Sequence, residues 1–152
     1  MRILVDADSC PAPARELVLR AAARTKTRAV FAANRNIPGI EGEYAYMQIC
    51  PASDGSADNY LASLAQSGDL AVTRDIPLAQ RLLEAGASVV DDRGRIFTEE
   101  NIREKLSLRN FTVSLAENGY EFERSVVYSK RELKAFADSF DKLLTKLNSA
   151  NR

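Results

Sequence analysis

Aspartates recur beside the ends of predicted strands, where a parallel sheet would present them to a ligand. Asp6 and Asp8 follow one short apolar strand, and Asp75 follows another. Asp54 and Asp58 surround the start of the helix after the third strand. Carboxylate oxygens suit Mg²⁺ or Mn²⁺, and Mg²⁺ typically keeps several waters and meets its substrate through phosphate. Convergence of Asp6, Asp8, Asp58 and Asp75 on one sheet edge therefore predicts a hard-cation site.

Several of these carboxylates also have a purely structural interpretation. Asp75 lies two residues before Pro77 and could cap the next helix, a role worth about 1 kcal/mol. Asp58, near a helix start, could simply favour the helix dipole. The segment 91–94 (DDRG) is typical of a turn. Asp6 fits no such role, because it comes directly after a buried strand and a second carboxylate follows two residues later.

The absence of histidine restricts the chemistry further. With no histidine among the 152 residues, Ser-His-Asp and Cys-His nucleophile pairs and all zinc sites with histidine ligands are excluded within this chain. Cys10 and Cys50 are 40 positions apart, and we interpret both as ordinary half-buried thiols. Carboxylates, hydroxyls and basic groups must carry any reaction.

Composition indicates one folded domain without a uniformly basic surface. The length is usual for a single domain, and 45% of the residues are apolar. Lys and Arg together number 21, as do Asp and Glu, so the formal net charge is zero. No apolar run is long enough for a bilayer span, and Asp6 arrives too early for a signal peptide. We expect a cytoplasmic protein with no membrane association.

Short apolar strands alternate with helical segments, which predicts an α/β fold. The sheet is expected to be mostly parallel, with about five strands and helices on both faces, and ligands should bind outside the carboxyl ends of its strands. The predicted domain covers residues 1–118, and 119–152 form a C-terminal helical extension packed on it. Predicted strands are 3–5, 29–33, 44–50, 70–73 and 88–90; predicted helices are 12–24, 57–67, 77–85, 99–118 and 129–148.

The last predicted helix opens with Ser129 and Glu132 at capping-box spacing. Its apolar residues recur at steps of three or four and form one stripe. That stripe favours a helix docked on the domain, and a dimer seam is the alternative, so a homodimer stays open. The stripe consists of Leu133, Phe136, Phe140, Leu143 and Leu147.

Ordered blocks of residues resemble the YaiI/YqxD family of uncharacterised bacterial proteins, a branch of the PIN-like nuclease superfamily. The blocks are 5–11 (VDADSCP), 54–59 (DGSADN) and 68–79 (GDLAVTRDIPLA). Shorter matches follow at 86–87, 93–94, 102–103 and 106–109. The resemblance covers roughly residues 3–118, and it implies a three-layer PIN-like domain with acidic residues at the sheet edge.

The resemblance also implies roles for individual residues. Asp6 matches the superfamily's first-strand acid, Asp58 its mid-chain acid, and Asp75 the acid of its T-x-D segment. Asp8 and Asp54 belong to the narrower family's pattern, so Asp54 joins the predicted metal ligands. Many superfamily members also use a glutamate, for which no position is assigned here.

The leading hypothesis is a metal-dependent nuclease that hydrolyses RNA or DNA phosphodiesters, with RNA favoured. Asp6, Asp8, Asp58 and Asp75 would be catalytic and hold one or two Mg²⁺ or Mn²⁺ ions. A run of basic residues with only Glu16 opposing it is a candidate phosphate face, or else a solvated helix face. That run contains Arg15, Arg20, Arg24, Lys26, Arg28 and Arg35. The candidate substrate-binding residues are Arg15, Asn34, Arg74 and Arg109, the last placed by the family pattern.

Two other functions stay open. A haloacid-dehalogenase-type phosphatase would use Asp6 as nucleophile and Asp8 as general acid, although Cys10 stands where threonine or valine is usual. A metal- or nucleic-acid-binding module without catalysis is the third. The sequence does not choose between RNA and DNA, name a biological substrate, or fix the number of metal ions.

Overall fold

Strands alternate with helices through most of the chain in the computed structural model, which describes residues 1–104 and 128–150. This alternation confirms the predicted α/β class. In chain order the elements are β1 (Ile3–Asp6), α1 (Ala12–Thr25), β2 (Ala29–Ala33), β3 (Ala45–Ile49), α2 (Ser56–Leu64), β4 (Leu70–Val72), α3 (Ile76–Glu84), β5 (Ser88–Val90), β6 (Ile96–Phe97), α4 (beginning at 99 and described to 104) and α5 (Lys130–Ala150).

The described strands form one sheet of six, in the order β3-β2-β1-β4-β5-β6. Strands β1 to β5 are parallel, and β6 pairs antiparallel with β5. The predicted count of about five is therefore wrong by one. Strand β6 has only two residues and folds back on β5 after the turn at 91–94. A strand this short shows no hydrophobic period in the sequence.

The strand order places the ends of β1 and β4 side by side at the point where the chain reverses direction across the sheet. The chain runs from β1 outward through β2 to β3, then returns to place β4 against the other side of β1. Val5 of β1 is in register with Val72 of β4. Ligands in open parallel sheets bind at such a switch point, outside the carboxyl ends of the strands.

Each face of the sheet is covered by a different pair of helices. Ile3 and Val5 pack with apolar residues of α1 and α5, whereas Leu4 packs with those of α2 and α3. This follows from the alternation of side chains along a strand. The sheet is thus the middle of three layers. Because all four residues of β1 are buried, the strand leading to Asp6 is fixed from both sides.

Helix α5 docks on the same α/β unit. Its capping box is formed: the Ser129 Oγ accepts from the Glu132 N–H, and the Glu132 carboxylate accepts from the Ser129 N–H, both at 3.3 Å. Phe136 and Phe140 are fully buried, with ring centroids 5.4 Å apart. These rings pack with apolar residues of β1 and α1 on one face of the sheet. The predicted helix over 99–118 and the boundary at 118 fall partly or wholly outside the described residues.

None of the described helices combines the length and the apolar character that a membrane span requires.

Close packing of α5 on the turn after β5 gives a prediction about Gly94. This residue has φ +86°, and a Cβ there would lie 2.3 Å from the Ala135 backbone oxygen. Gly94→Ala is expected to lower the free energy of unfolding by about 3–5 kcal/mol, measured by urea denaturation. Gly68→Ala is the control, because Gly68 has φ +91° but open space around it. It should lose only about 1–2 kcal/mol from backbone strain. Equal losses would show that the contact with α5 contributes nothing.

Candidate active site

A cavity of about 320 Å³ opens at the carboxyl ends of β1 and β4. Four of the five predicted metal-ligand aspartates line it, and they come from four segments: the end of β1, the turn after it, the first turn of α2, and the loop after β4. The structure therefore brings Asp6, Asp8, Asp58 and Asp75 together. The full lining is Asp6, Asp8, Ser9, Asn34, Gly55, Ala57, Asp58, Arg74 and Asp75.

Asp6 is the most buried of the four, with 6% of its surface exposed. Its Oδ2 accepts hydrogen bonds from the Ser9 and Thr73 hydroxyls, both at 2.9 Å. Burial raises the pKa of Asp6; these two hydrogen bonds lower it, and the charges of Asp75 and Asp8 raise it further. Its Oδ1 has no hydrogen-bond partner among the described residues. Two hydroxyls thus fix one oxygen and leave the other uncommitted.

Asp75 combines the two roles that the sequence offered for it. Its Oδ1 accepts from the Leu78 N–H at 2.9 Å, so it is the N-cap of α3. Its own N–H donates to the Thr73 hydroxyl at 3.0 Å. The carboxylate nevertheless lines the cavity, and its Oδ2 has no partner in the described part of the chain. The cap holds the carboxylate in place without using both oxygens.

Asp58 is unlike the other three, because no described residue forms a hydrogen bond or ion pair with its carboxylate. Burial raises the pKa of Asp58 to about 6, the charges of Asp75 and Asp6 add to the rise, and Arg81 opposes it. The Asp58 carboxylate therefore has oxygens that no described residue binds directly, and it is close enough to its acidic neighbours for their charges to act on it.

Asp8 and Asn34 both line the cavity and are joined by a hydrogen bond. The Asn34 N–H donates to Asp8 Oδ2 at 3.0 Å, and the Asn34 side-chain oxygen accepts from the Ser56 hydroxyl at 3.0 Å. These bonds join the ends of β1 and β2 to the start of α2. Asp8 Oδ1 also lies 3.6 Å from Arg35 Nε in an exposed ion pair. Asn34, predicted to bind substrate, is thus a cavity residue.

Other predicted residues lie elsewhere. Asp54 is exposed and is not among the lining residues, so the structure does not bring it to the cavity. Arg15 also lies outside the lining, and its guanidinium donates to the Cys10 carbonyl. Arg109 falls outside the described residues. Asp91 holds a turn as predicted, its Oδ1 accepting from the Arg93 and Arg95 N–H groups.

The basic run at 15–35 does not form one phosphate face. Arg20 and Arg24 line a groove between α1 and α5, where Arg24 pairs with Asp141 at 3.0 Å. Lys26 and Arg28 line a separate cavity beside β3. Arg35 alone of the six pairs with a residue of the acidic cavity. The basic side chains of this run therefore lie at separate sites on the domain.

Both cysteines are free and buried, which is consistent with thiols that have a packing role. Burial raises the pKa of Cys10 to about 12, and the Asp92 charge adds to that rise. A thiol of this kind is protonated near neutral pH and is a poor nucleophile. Sequence reasoning missed Thr73 and Ser9, although both are hydroxyls within three residues of a candidate aspartate.

The donor chemistry of the cavity fits Mg²⁺ or Mn²⁺. The uncommitted oxygens are carboxylate oxygens of Asp6, Asp58 and Asp75, and hard cations prefer such ligands. No group of three or more acidic or thiol side chains in residues 1–104 and 128–150 is already arranged around a common metal position. Mg²⁺ does not require such a cage, since proteins usually hold it through one or two carboxylates, several waters and the substrate phosphate.

Comparison with known proteins gives matches over most of the chain. The model of the Uncharacterized BCR, YaiI/YqxD family matches residues 4–146. UPF0178 proteins of Treponema pallidum and Treponema denticola are 46% and 44% identical, covering 97% and 96% of this chain and 83% and 93% of their own lengths. The UPF0178 protein of Myxococcus xanthus is 44% identical, over 97% of this chain and 96% of its own. No solved structure matches. The chain belongs to the YaiI/YqxD family.

Proposed function

We propose that the protein is a divalent-metal-dependent nuclease of the PIN-like type, which hydrolyses RNA or DNA phosphodiesters at the acidic cavity. The observation that carries this proposal is the convergence of Asp6, Asp8, Asp58 and Asp75 on one cavity at the switch point of the sheet. Four carboxylates beside one another repel unless a cation offsets their charge. A cation-dependent reaction on a phosphate would explain why four carboxylates line one cavity.

The cation would be held by the carboxylate oxygens that have no partner among the described residues, namely those of Asp6, Asp58 and Asp75, with Asp8 beside them. A bound Mg²⁺ or Mn²⁺ supplies charge neutralisation of the phosphate and a lower pKa for an attacking water. The role of Ser9 and Thr73 is to orient the Asp6 carboxylate through its Oδ2. Preorganised ligands of this kind avoid the cost of ordering them during the reaction.

Hydrolysis adds water across a P–O bond, leaving a phosphate monoester on one fragment and a hydroxyl on the other. The attacking water must lose a proton, and the chain has no histidine to accept it. A cavity carboxylate that does not hold the cation would accept that proton. Asn34 and Arg74 at the cavity can contact the phosphate chain.

The proposal is tested by a metal-dependent cleavage assay on single- and double-stranded RNA and DNA, with a phosphate monoester alongside. We expect Mn²⁺ or Mg²⁺ to support cleavage of an internal phosphodiester in at least one polymer, and EDTA to abolish it. If the purified protein cleaves none of the four polymers with either metal, the nuclease proposal is contradicted. The binding module without catalysis would then be the remaining function.

The same preparation distinguishes a nuclease from a phosphatase that uses Asp6 as nucleophile. Beryllium fluoride with Mg²⁺ mimics an aspartyl phosphate, so a phosphatase would give an adduct on Asp6, detectable by ¹⁹F NMR. We expect no such adduct. An adduct together with turnover of the monoester alone would replace the nuclease with the phosphatase.

A further inference from the structure

Among the described residues that line the acidic cavity, Arg74 is the only one with a cationic side chain. It lies between Thr73 and Asp75 on the loop after β4, and 51% of its side chain is exposed. Its one hydrogen bond within the described residues is from Nη2 to the Asp92 carboxylate. A guanidinium has five N–H donors, so most of them stay available to a ligand.

Asp92 is unusual because its carboxylate is buried, with only 4% of the side chain exposed. Burial of an unpaired charge is costly, and Arg74 is the partner that compensates this one. The pairing follows from the sheet register: Val72 of β4 is opposite Val90 of β5, and the Thr73 N–H donates to the Val90 carbonyl. Arg74 and Asp92, each two residues beyond the end of its strand, therefore lie side by side.

Helix α5 holds the turn that carries Asp92. The Tyr128 hydroxyl, just before the helix, donates to the Asp92 carbonyl. Within the helix, the Ser139 hydroxyl donates to the Gly94 carbonyl at 2.6 Å. Gly94 itself packs directly on the backbone of Ala135. The turn that carries Asp92 is thus held by Tyr128 and by helix α5, neither of which lines the cavity.

We infer that Arg74 is a phosphate-binding subsite for a nucleic-acid strand at the acidic cavity, and that Asp92 is the positioning residue that holds it there. The inference deepens the proposed nuclease function and rests on it. Four aspartates repel a phosphate, and a guanidinium at their rim offsets this repulsion for one backbone group. The ion pair with a buried carboxylate limits the conformational freedom of the Arg74 side chain. Less conformational entropy is therefore lost when the phosphate binds.

A structural ion pair alone would give the same contacts, so the test must separate stability from binding. The wild type and variants are compared by fluorescence anisotropy with a nuclease-resistant single-stranded phosphorothioate oligonucleotide, in Mg²⁺, over a series of salt concentrations. Arg74→Gln is expected to weaken binding about 5–10-fold and to reduce the slope of log K against log [salt] by about 0.7. Arg93→Gln is the matched control, since Arg93 is on the same turn as Asp92 but outside the cavity lining.

The effect of Asp92→Asn on oligonucleotide binding distinguishes a positioning role from a simple charge effect. Removal of a negative charge should tighten binding of a polyanion if only net charge matters. If Asp92 positions Arg74, binding should weaken about 2–5-fold while the salt slope stays near the wild-type value, because the arginine charge is still present. Arg74→Lys keeps the charge paired with Asp92 and serves if Asp92→Asn fails to fold. It should weaken binding with an unchanged slope, since an ammonium lacks the planar fork.

Arg74→Gln with wild-type affinity and slope would overturn the subsite. Tighter binding by Asp92→Asn would overturn the positioning role. Failure of the two proposals can be told apart: a wild type that binds the oligonucleotide but cleaves no polymer contradicts the nuclease and leaves the subsite standing. A wild type that cleaves a polymer, with normal binding by Arg74→Gln or no binding by the wild type, contradicts only the subsite. A wild type that neither cleaves nor binds contradicts both proposals.

Discussion

Asp6→Asn is expected to reduce metal-dependent phosphodiester cleavage by about 10³-fold or more while the protein stays folded. The amide keeps the size of the carboxylate, and its oxygen can still accept from the Ser9 and Thr73 hydroxyls that now bond Oδ2. What the substitution removes is the charge at Oδ1, the oxygen that no described residue uses. The expected loss is therefore in the reaction and not in the fold.

The measurement is single-turnover cleavage at saturating Mn²⁺, with circular dichroism to establish that the variant is folded. Asp138→Asn is the matched control, because it makes the same chemical change at an exposed position on α5, where Asp138 lies 3.5 Å from Lys134. Its cleavage rate should stay within about twofold of wild type, as expected for an exposed ion pair. If Asp6→Asn is active, the acidic cavity is not the site of cleavage. If Asp138→Asn is inactive, the loss of activity at Asp6 is not specific to the cavity.

Sequence reasoning located the cavity because its main rule concerns backbone topology. Asp6 and Asp75 come after buried strands, and the carboxyl ends of neighbouring parallel strands must lie at one edge. Asp58 could be placed there because the helix it opens follows a strand of the same sheet. These inferences need only the order of the elements, which hydrophobic runs and Gly or Pro positions reveal.

Side-chain partners could not be found in this way. Thr73 and Asp6 are 67 positions apart, and no spacing rule links them. The Arg74–Asp92 pair depends on the register of β4 with β5, which the sequence leaves unspecified. Asp54 illustrates the opposite error, since it is only four residues from Asp58 yet does not line the cavity. The intervening Gly55 has φ +75° and turns the chain at the start of α2.

Asp58→Asn is expected to stabilise the metal-free protein at neutral pH and to reduce its response to metal. Burial and the charges of Asp75 and Asp6 raise the pKa of Asp58 to about 6, from its ordinary value of 3.8. Ionisation of this carboxylate therefore opposes folding. Because the side chain is partly exposed, solvent screens much of the repulsion, and we expect a gain of only about 0.5–1 kcal/mol at pH 7.5.

The gain should depend on pH with a defined sign. A carboxyl whose pKa is raised on folding stabilises the protein most below the unfolded value, and this stability is lost as the pH rises through the folded value. The advantage of Asp58→Asn over wild type should thus be small near pH 4, grow between pH 4 and about 6, and level off above pH 7. Asp6, whose pKa burial also raises, contributes in the same direction to both proteins.

Ionisation of Asp58 destabilises the folded wild type, whereas a bound metal ion should stabilise it. An ion that binds only the folded protein adds RT ln(1 + [L]/Kd), about 2.7 kcal/mol at a hundredfold excess over Kd. The bound form needs ionised carboxylates, so the rise in Tm with Mn²⁺ should be large at pH 7.5 and shrink below about pH 5.5 as Asp58 takes up a proton. Asp58→Asn should give a smaller rise at pH 7.5, and Asp138→Asn should behave as wild type.

Thermal melts in EDTA and in Mn²⁺ at pH 5 and 7.5 separate a cation site from a structural role for these aspartates. A structural carboxylate would make Asp58→Asn less stable without metal and leave the Mn²⁺ response unchanged. That outcome would remove Asp58 from the site even if cleavage were found. Repulsion among uncompensated carboxylates predicts the reverse on both counts: a more stable metal-free variant and a weaker metal response. Since one substitution must move two measurements in opposite directions, a general change in stability cannot imitate the result.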